Sequence, residues 1–248
     1  MPISSSAHLV FPSLLLEWPD QGLAFDVAVH VGTLSAVVFY YRCTLLTIGA
    51  AWFRSLTGGG ASDDSRLVWY LALATIPAGL VGLTGGQYIE SELRSLPFIA
   101  TTTLVFGVVL GLADRYAHRT PGDRNLTLPV AMIIGLAQAL ALVPGVSRSG
   151  ITITAALMLN MSRQDAARFS FLLSIPVIAS AGLLKTWELW STGSTLYWEL
   201  MILGAVASGI TAYLCISMFL RLLDRIGMMP FVYYRLVLAA VLFGIWLA

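Results

Sequence analysis

Six stretches of this chain, near residues 27–41, 67–86, 97–113, 169–187, 200–219 and 230–248, are apolar and carry almost no charge. Most are close to the roughly 20 residues a helix needs to cross the hydrocarbon of a bilayer. The first is shorter and is expected to extend at its ends. No other feature limits the fold so strongly. Of 248 residues, 58% are hydrophobic and 11% charged, against about 25% charged in an ordinary soluble domain. A soluble core of this size cannot use that much apolar sequence, so the chain reads as an all-α, polytopic integral membrane protein. The formal net charge of +1 gives no sign of a nucleic-acid partner. Cys43 and Cys215 sit in or beside apolar runs at no metal-ligand spacing, so neither a disulfide nor a zinc site is implied. The first residues lack the basic and apolar regions of a cleavable signal peptide, and none is expected.

Two further apolar pieces are too short to cross alone. Residues 129–143 run into "PGVSRSG", and "ITITAALMLN" follows. Pro144, Gly145 and Gly150 break the helix between them, which predicts a helix–loop–helix hairpin that enters the membrane and returns to the same side. The basic residues test this. If the hairpin is re-entrant and each span crosses once, one side collects Arg42, Arg54, Arg66, Arg115, Arg119, Arg124, Arg163, Arg168, Arg221 and Arg225, and the other only Arg94 and Lys185. Arg148 in the hairpin and Arg235 inside the last span stand apart from this division. A crossing at 129–160 would give seven against five. The positive-inside rule favours the re-entrant arrangement, puts the arginine-rich side in the cytoplasm, and turns both termini outward.

A weak repeat accompanies this pattern. "PISSSAHL" and "PGVSRSGI" share a proline with a serine three residues on, and three spans follow each. An odd number of crossings makes the halves inverted. The expected organisation is one membrane domain, with repeat 1 over about 1–113, a cytoplasmic linker over about 114–128 and repeat 2 over about 129–248. On this reading the chain has about six transmembrane helices and two re-entrant hairpins, the first of them truncated.

Chemistry concentrates in the two motifs. Arg148 lies between Ser147 and Ser149 with glycines on both flanks. An arginine at membrane depth costs about 2.5–3.5 kcal/mol even on the lenient insertion scale, so it needs a partner or a purpose. Its planar fork suits phosphate oxygens, and a helix starting near Gly150 would aim backbone N–H groups at the same place. The plainer alternative is an arginine that caps a buried helix end or pairs with Asp26. In the first motif, Ser4, Ser5 and Ser6 are natural N-cap residues. His8 stands one turn after Ser5, and imidazole is a side chain suited to moving protons around neutral pH, so the two form a minimal nucleophile–base pair; a simple cap with an interfacial histidine is the alternative. Asp26 and His30 share a helical face. Capping and an interhelical bond would explain them, and a metal or proton partner is the sharper reading. Gln138 is a buried amide that needs partners and would hold the hairpin together. Gly82/Gly86 and Gly107/Gly111 have the spacing that lets helices approach closely.

These residues carry a resemblance. "PISSSAHL", "FDVAVHVGTLSAVVFYYR", "ALALVPGVSRSGITI", "SRQDAARFSFLLSIP" and "GMMPFVYYR" resemble the bacterial undecaprenyl-diphosphatase family of the bacitracin-resistance type, over essentially the whole chain. The resemblance implies an inner-membrane enzyme that removes the terminal phosphate of the polyprenyl lipid undecaprenyl diphosphate. Its product would be undecaprenyl phosphate, the recycled carrier of peptidoglycan synthesis. A divalent cation, Mg or Ca, and a site open to the periplasm are implied as well. By position, Ser5 becomes the nucleophile or a phosphate-binding hydroxyl, His8 the proton-transfer group and Arg148 the diphosphate clamp. Ser4, Ser6, Ser147, Ser149 and Thr152 would bind substrate, with Asp26, His30 and Gln138 in support. A homodimer is an assembly open to such a chain. One departure matters: the family pattern carries an acidic stretch, E-G-x-T-E-F, just before this first proline, and this sequence has none, so no metal ligands are assigned. The expectation is that about 15–25 residues belong ahead of Pro2, judged from the helix needed to reach mid-membrane. A polyprenyl-phosphate flippase and an inactive truncated member are the rival readings.

Overall fold

The computed structural model describes residues 2–3, 8, 22–119, 125–192 and 198–247. Among them every regular element is helical. In chain order these are α1 (Gly22–Tyr40), α2 (Arg42–Leu56), α3 (Asp63–Glu92), α4 (Leu96–Arg119), α5 (Leu128–Ala139), a 3-10 turn (Leu140–Leu142), α6 (Arg148–Met158), α7 (Arg163–Thr192), α8 (Trp198–Ile226) and α9 (Met229–Leu247). α3, α4, α7, α8 and α9 are long and apolar enough to cross a membrane, and α1 with α2 makes a sixth span if that bent pair counts as one. This matches the number of apolar runs in the sequence.

The first run ends differently from expectation. α1 extends back to Gly22, but the chain then bends by 75° and continues as α2 through the region between Arg42 and Arg54. No proline or glycine marks the break. Arg42 covers it: Nη1 donates to the Phe39 carbonyl at 2.9 Å, and the guanidinium lies 4.5 Å from the Phe39 ring centre. A helix break frees carbonyls, and here a neighbouring cation takes one.

The chain forms two compact units, each drawn from both halves of the sequence. The first comprises Met1–Pro19, Ala74–Ser170 and Phe219–Ala248, and the second Asp20–Leu73 and Phe171–Met218. In the second, α1 and α8 cross where small residues permit it: a Cβ on Gly32 would lie 2.1 Å from the Ala205 carbonyl oxygen. Ser208 Oγ donates to the Val29 carbonyl at 3.1 Å, closing the same crossing. Lipid supplies no hydrophobic drive for helices to pair, so close backbone approach and interhelical bonds do that work.

In the first unit α4 and α9 run antiparallel. Ile99 and Ala100 pack with Leu238 and Leu242 at one end. Moving along the pair, Cβ atoms on Gly107 and Gly111 would lie 3.1 Å from Arg235 Cβ and 3.2 Å from Val232 Cγ1. The GxxxG spacing therefore marks a true close contact. At the far end Asp114, 2% exposed, accepts from Arg163 Nε at 2.7 Å and from the Met228 N–H at 3.3 Å. That corner ties α4 to the start of α7 and to the turn before α9. The arm α5 lies against α3, where Gly135 is essential: a Cβ would sit 2.4 Å from the Ala74 carbonyl oxygen.

Candidate active site

The PGVSRSG stretch folds into a compact tip between α5 and α6. The arm ends in the 3-10 turn, and Pro144 cannot continue it. Gly145 takes φ +91°, a left-handed conformation that favours glycine. A side chain there would also collide, since its Cβ would fall 2.1 Å from Thr102 Oγ1. Ser147 takes φ +67°, which is strained for a residue with a Cβ. The strain places its hydroxyl over the first turn of α6, where Oγ accepts from the Gly150 N–H at 3.3 Å. Ser147 is thus the N-cap, and the positive end of α6 opens at the tip.

Arg148 is the first residue of that helix and is partly buried. Among the described residues its guanidinium has neither a hydrogen-bond acceptor nor an ion-pair partner. Capping by the guanidinium, one alternative from the sequence, calls for a bond not made among these residues; the other, pairing with Asp26, falls on a side chain outside them. Ser149 is buried next to it. Thr152 behaves differently from a ligand-binding hydroxyl. It is fully buried, and Oγ1 shares a 2.7 Å hydrogen bond with Ser170 Oγ while donating to the Arg148 carbonyl at 2.9 Å. A hydroxyl facing the interior must find a protein partner, and Thr152 uses its own to brace α6 against α7.

Gln138 is buried at 1% exposure, yet neither end of its amide has a hydrogen-bond partner among the described residues. The expected polar brace within the hairpin is not made through this side chain. His8 lies against α9, with Nε2 hydrogen-bonded to the Tyr234 hydroxyl and the rings stacked at 5.6 Å between centres. Ser4, Ser5 and Ser6 lie outside the described residues, and so does the side chain of Asp26. His30 is exposed on α1, in the second unit, and its carbonyl accepts from Thr33 Oγ1.

What holds the tip is a set of residues that the motif reading left aside. Thr102 Oγ1 donates to the Pro144 carbonyl at 2.6 Å. Arg235, fully buried on α9, donates from Nη1 to the Val146 carbonyl at 2.9 Å and from Nη2 to the Gly145 carbonyl at 2.9 Å. Nε and Nη2 also reach the Thr103 carbonyl, at 3.3 and 3.2 Å. Consecutive residues of α9 therefore hold both motifs: Tyr234 takes His8 and Arg235 takes the tip. The one signal in the sequence was an arginine inside an apolar span.

The divalent cation implied by the resemblance can be checked against these groups. Mg and Ca take hard oxygen donors, carboxylates above all. Among the described residues no group of three or more His, Cys, Asp or Glu could hold a metal, and the tip offers hydroxyls and guanidinium groups. These residues alone do not fit such a cation, and no step is routed through one.

The arrangement defines a class: a polytopic membrane protein with a helical hairpin that carries an arginine at its tip. The family profile described as Bacitracin resistance protein BacA matches residues 1–241, and the chain belongs to that family. A protein of Teredinibacter turnerae named undecaprenyl-diphosphatase is 57% identical over 243 residues, covering 98% of this chain and 92% of that one. One of Alcanivorax borkumensis with the same name is 55% identical over 248 residues, covering 100% and 93%. Another, of Saccharophagus degradans, is 53% identical over 249 residues with the same coverage.

Proposed function

We propose that this chain hydrolyses undecaprenyl diphosphate to undecaprenyl phosphate and inorganic phosphate, a reading supported by the name undecaprenyl-diphosphatase that its relatives carry. The observation that carries this is Arg148, a cation with no partner among the described residues, at the N-terminus of α6. A buried or half-buried charge is costly unless paired, and a diphosphate supplies the missing anion. In the reaction, Ser5 or a water molecule provides the oxygen that attacks the terminal phosphorus. The bond from that phosphorus to the bridging oxygen breaks, and the lipid monophosphate leaves with the bridging oxygen; where Ser5 attacks, water then hydrolyses the phosphoserine, which frees Ser5 and inorganic phosphate. His8 takes the proton of the attacking group, its ring held by Tyr234. Arg148 and the N–H groups of the tip hold the phosphate oxygens, because such transfers depend mostly on positioning and electrostatics.

The location follows the same reading. The enzyme sits in the bacterial inner membrane with both termini and the site on the periplasmic side, returning the carrier lipid to peptidoglycan synthesis and conferring bacitracin resistance. A groove of about 630 Å³ between α1 and α8, lined by residues such as Val31, Phe39, Val206 and Ile210, has the chemistry to take isoprenoid units of the lipid tail. The Mg or Ca dependence implied by the resemblance belongs to this proposal and is read by phosphate release after chelation and metal return. The deciding experiment is phosphate release from a polyprenyl diphosphate by the purified protein in detergent. The Arg148→Ala variant should lose about 10²- to 10³-fold in rate, the usual effect of deleting one stabilising donor. Full activity in that variant would overturn the assignment.

A further inference from the structure

Arg235 is the largest fully buried side chain among the described residues, and no acid pairs with it there. Its acceptors are three backbone carbonyls, those of Thr103, Gly145 and Val146. Two belong to the tip and one to α4, so one planar fork spans two elements that approach from different directions. A lysine could not do this, since a compact ammonium lacks the rigid, spread donors of a guanidinium. The fold also makes room for it. Gly107 lies beside the side chain, where a Cβ would come within 3.1 Å of Arg235 Cβ and 3.5 Å of Nε. Gly150 lies at the other end, where a Cβ would be 2.9 Å from Nη1. The guanidinium is thus pressed against the first turn of α6, directly behind the residues that open the anion site.

Two consequences follow from elementary geometry. Peptide units are planar and trans here, so drawing the Val146 carbonyl onto Arg235 turns the Ser147 N–H the opposite way, away from the guanidinium. The same pull steadies the left-handed Ser147 that caps α6 and sets where Arg148 begins. Carbonyl dipoles also solvate the Arg235 charge without cancelling it, so a positive charge remains buried next to the tip. Burying an ion without a counter-ion is costly, and the cost is recovered where a ligand brings the opposite charge.

We propose that Arg235 is a positioning residue for the phosphate-binding tip, holding the Gly145–Ser147 turn so that Arg148 meets the diphosphate. This rests on the functional reading above, and its test separates the two. The rates compared are those of the wild type, Arg235→Lys, Arg148→Lys and the double variant, on a short-chain polyprenyl diphosphate, with thermal midpoint and elution profile as folding controls. Arg235→Lys should fold and lose about 10- to 100-fold in kcat. In the Arg148→Lys background the same change should cost less than about threefold, because contacts acting through one another do not add. A purely structural role predicts the same factor in both backgrounds. Gly107→Ala keeps every polar atom and crowds Arg235 alone; it should reproduce the non-additive loss at smaller size and is read in the same way if Arg235→Lys does not fold. Equal losses in both backgrounds, or no loss, would overturn the positioning role. Full activity of Arg148→Ala would instead overturn the function of the tip itself.

Discussion

Two buried charges lie along one side of α4 and are treated in opposite ways. Asp114 is met by Arg163 and by the Met228 N–H, which leaves a nearly neutral corner. Arg235, at the level of Gly107, is met among the described residues by carbonyls alone, and its charge stays. Neutralised charge holds elements together and asks for nothing more. Charge left without a counter-ion, with Arg148 unpaired among the described residues beside the same tip, would be completed by the anion proposed to bind there. On the proposed function, the first region serves stability and the second a ligand.

That contrast can be broken at either end. The largest effect is expected at Arg148→Ala, where loss of about 10²- to 10³-fold in phosphate release should leave the thermal midpoint in detergent unchanged, since no partner among the described residues is orphaned. Asp114→Ala should do the reverse. Breaking the pair should cost about 3 kcal/mol, the low end for a buried pair, because Arg163 keeps 24% of its side chain exposed. Its turnover per folded molecule, measured below the melting range, should match wild type. If Asp114→Ala lost turnover instead, the two regions would not be separable in role.

Smaller effects sharpen the picture. Tyr234→Phe removes one hydrogen bond to His8, worth about 0.5–1.5 kcal/mol. It should slow phosphate release by roughly threefold to tenfold with little change in melting. An unchanged rate would detach His8 from the reaction. Gln138→Leu should be the mildest change and opposite in sign. The amide is buried with both ends unsatisfied, so an apolar replacement of similar size should raise stability by about 1 kcal/mol and leave the rate alone. A fall in rate would assign the amide to substrate instead.

The spans were legible because each apolar run is long enough to make its own case. The hairpin was legible because Pro144, Gly145 and Gly150 announce a break. The bend after Tyr40 was not, since the chain turns there without a proline or glycine and α2 begins and nearly ends on arginines. Arg148 could be picked out from its flanking serines and glycines. Arg235 could be flagged as an oddity but not given a role, because its acceptors are backbone oxygens 132, 90 and 89 residues away. Backbone atoms leave no mark in a sequence. Gly107 had a recognisable spacing, yet the spacing could not say that its opposite number was an arginine. Thr152 matched a hydroxyl-rich motif, and only its burial against Ser170 revealed an inward role.

The grip of Arg235 also constrains how the protein is made. α9 follows α4 and the hairpin in chain order, so it leaves the ribosome after its acceptors. Alone in lipid, an arginine at the centre of a helix is held back by about 2.5–3.5 kcal/mol. Beside α4 and the tip, the waiting carbonyls of Thr103, Gly145 and Val146 receive it. Entry of α9 into the bilayer and completion of the tip are then a single event in biogenesis, and a nascent chain still lacking α9 cannot present the finished hairpin tip to the lipids around it.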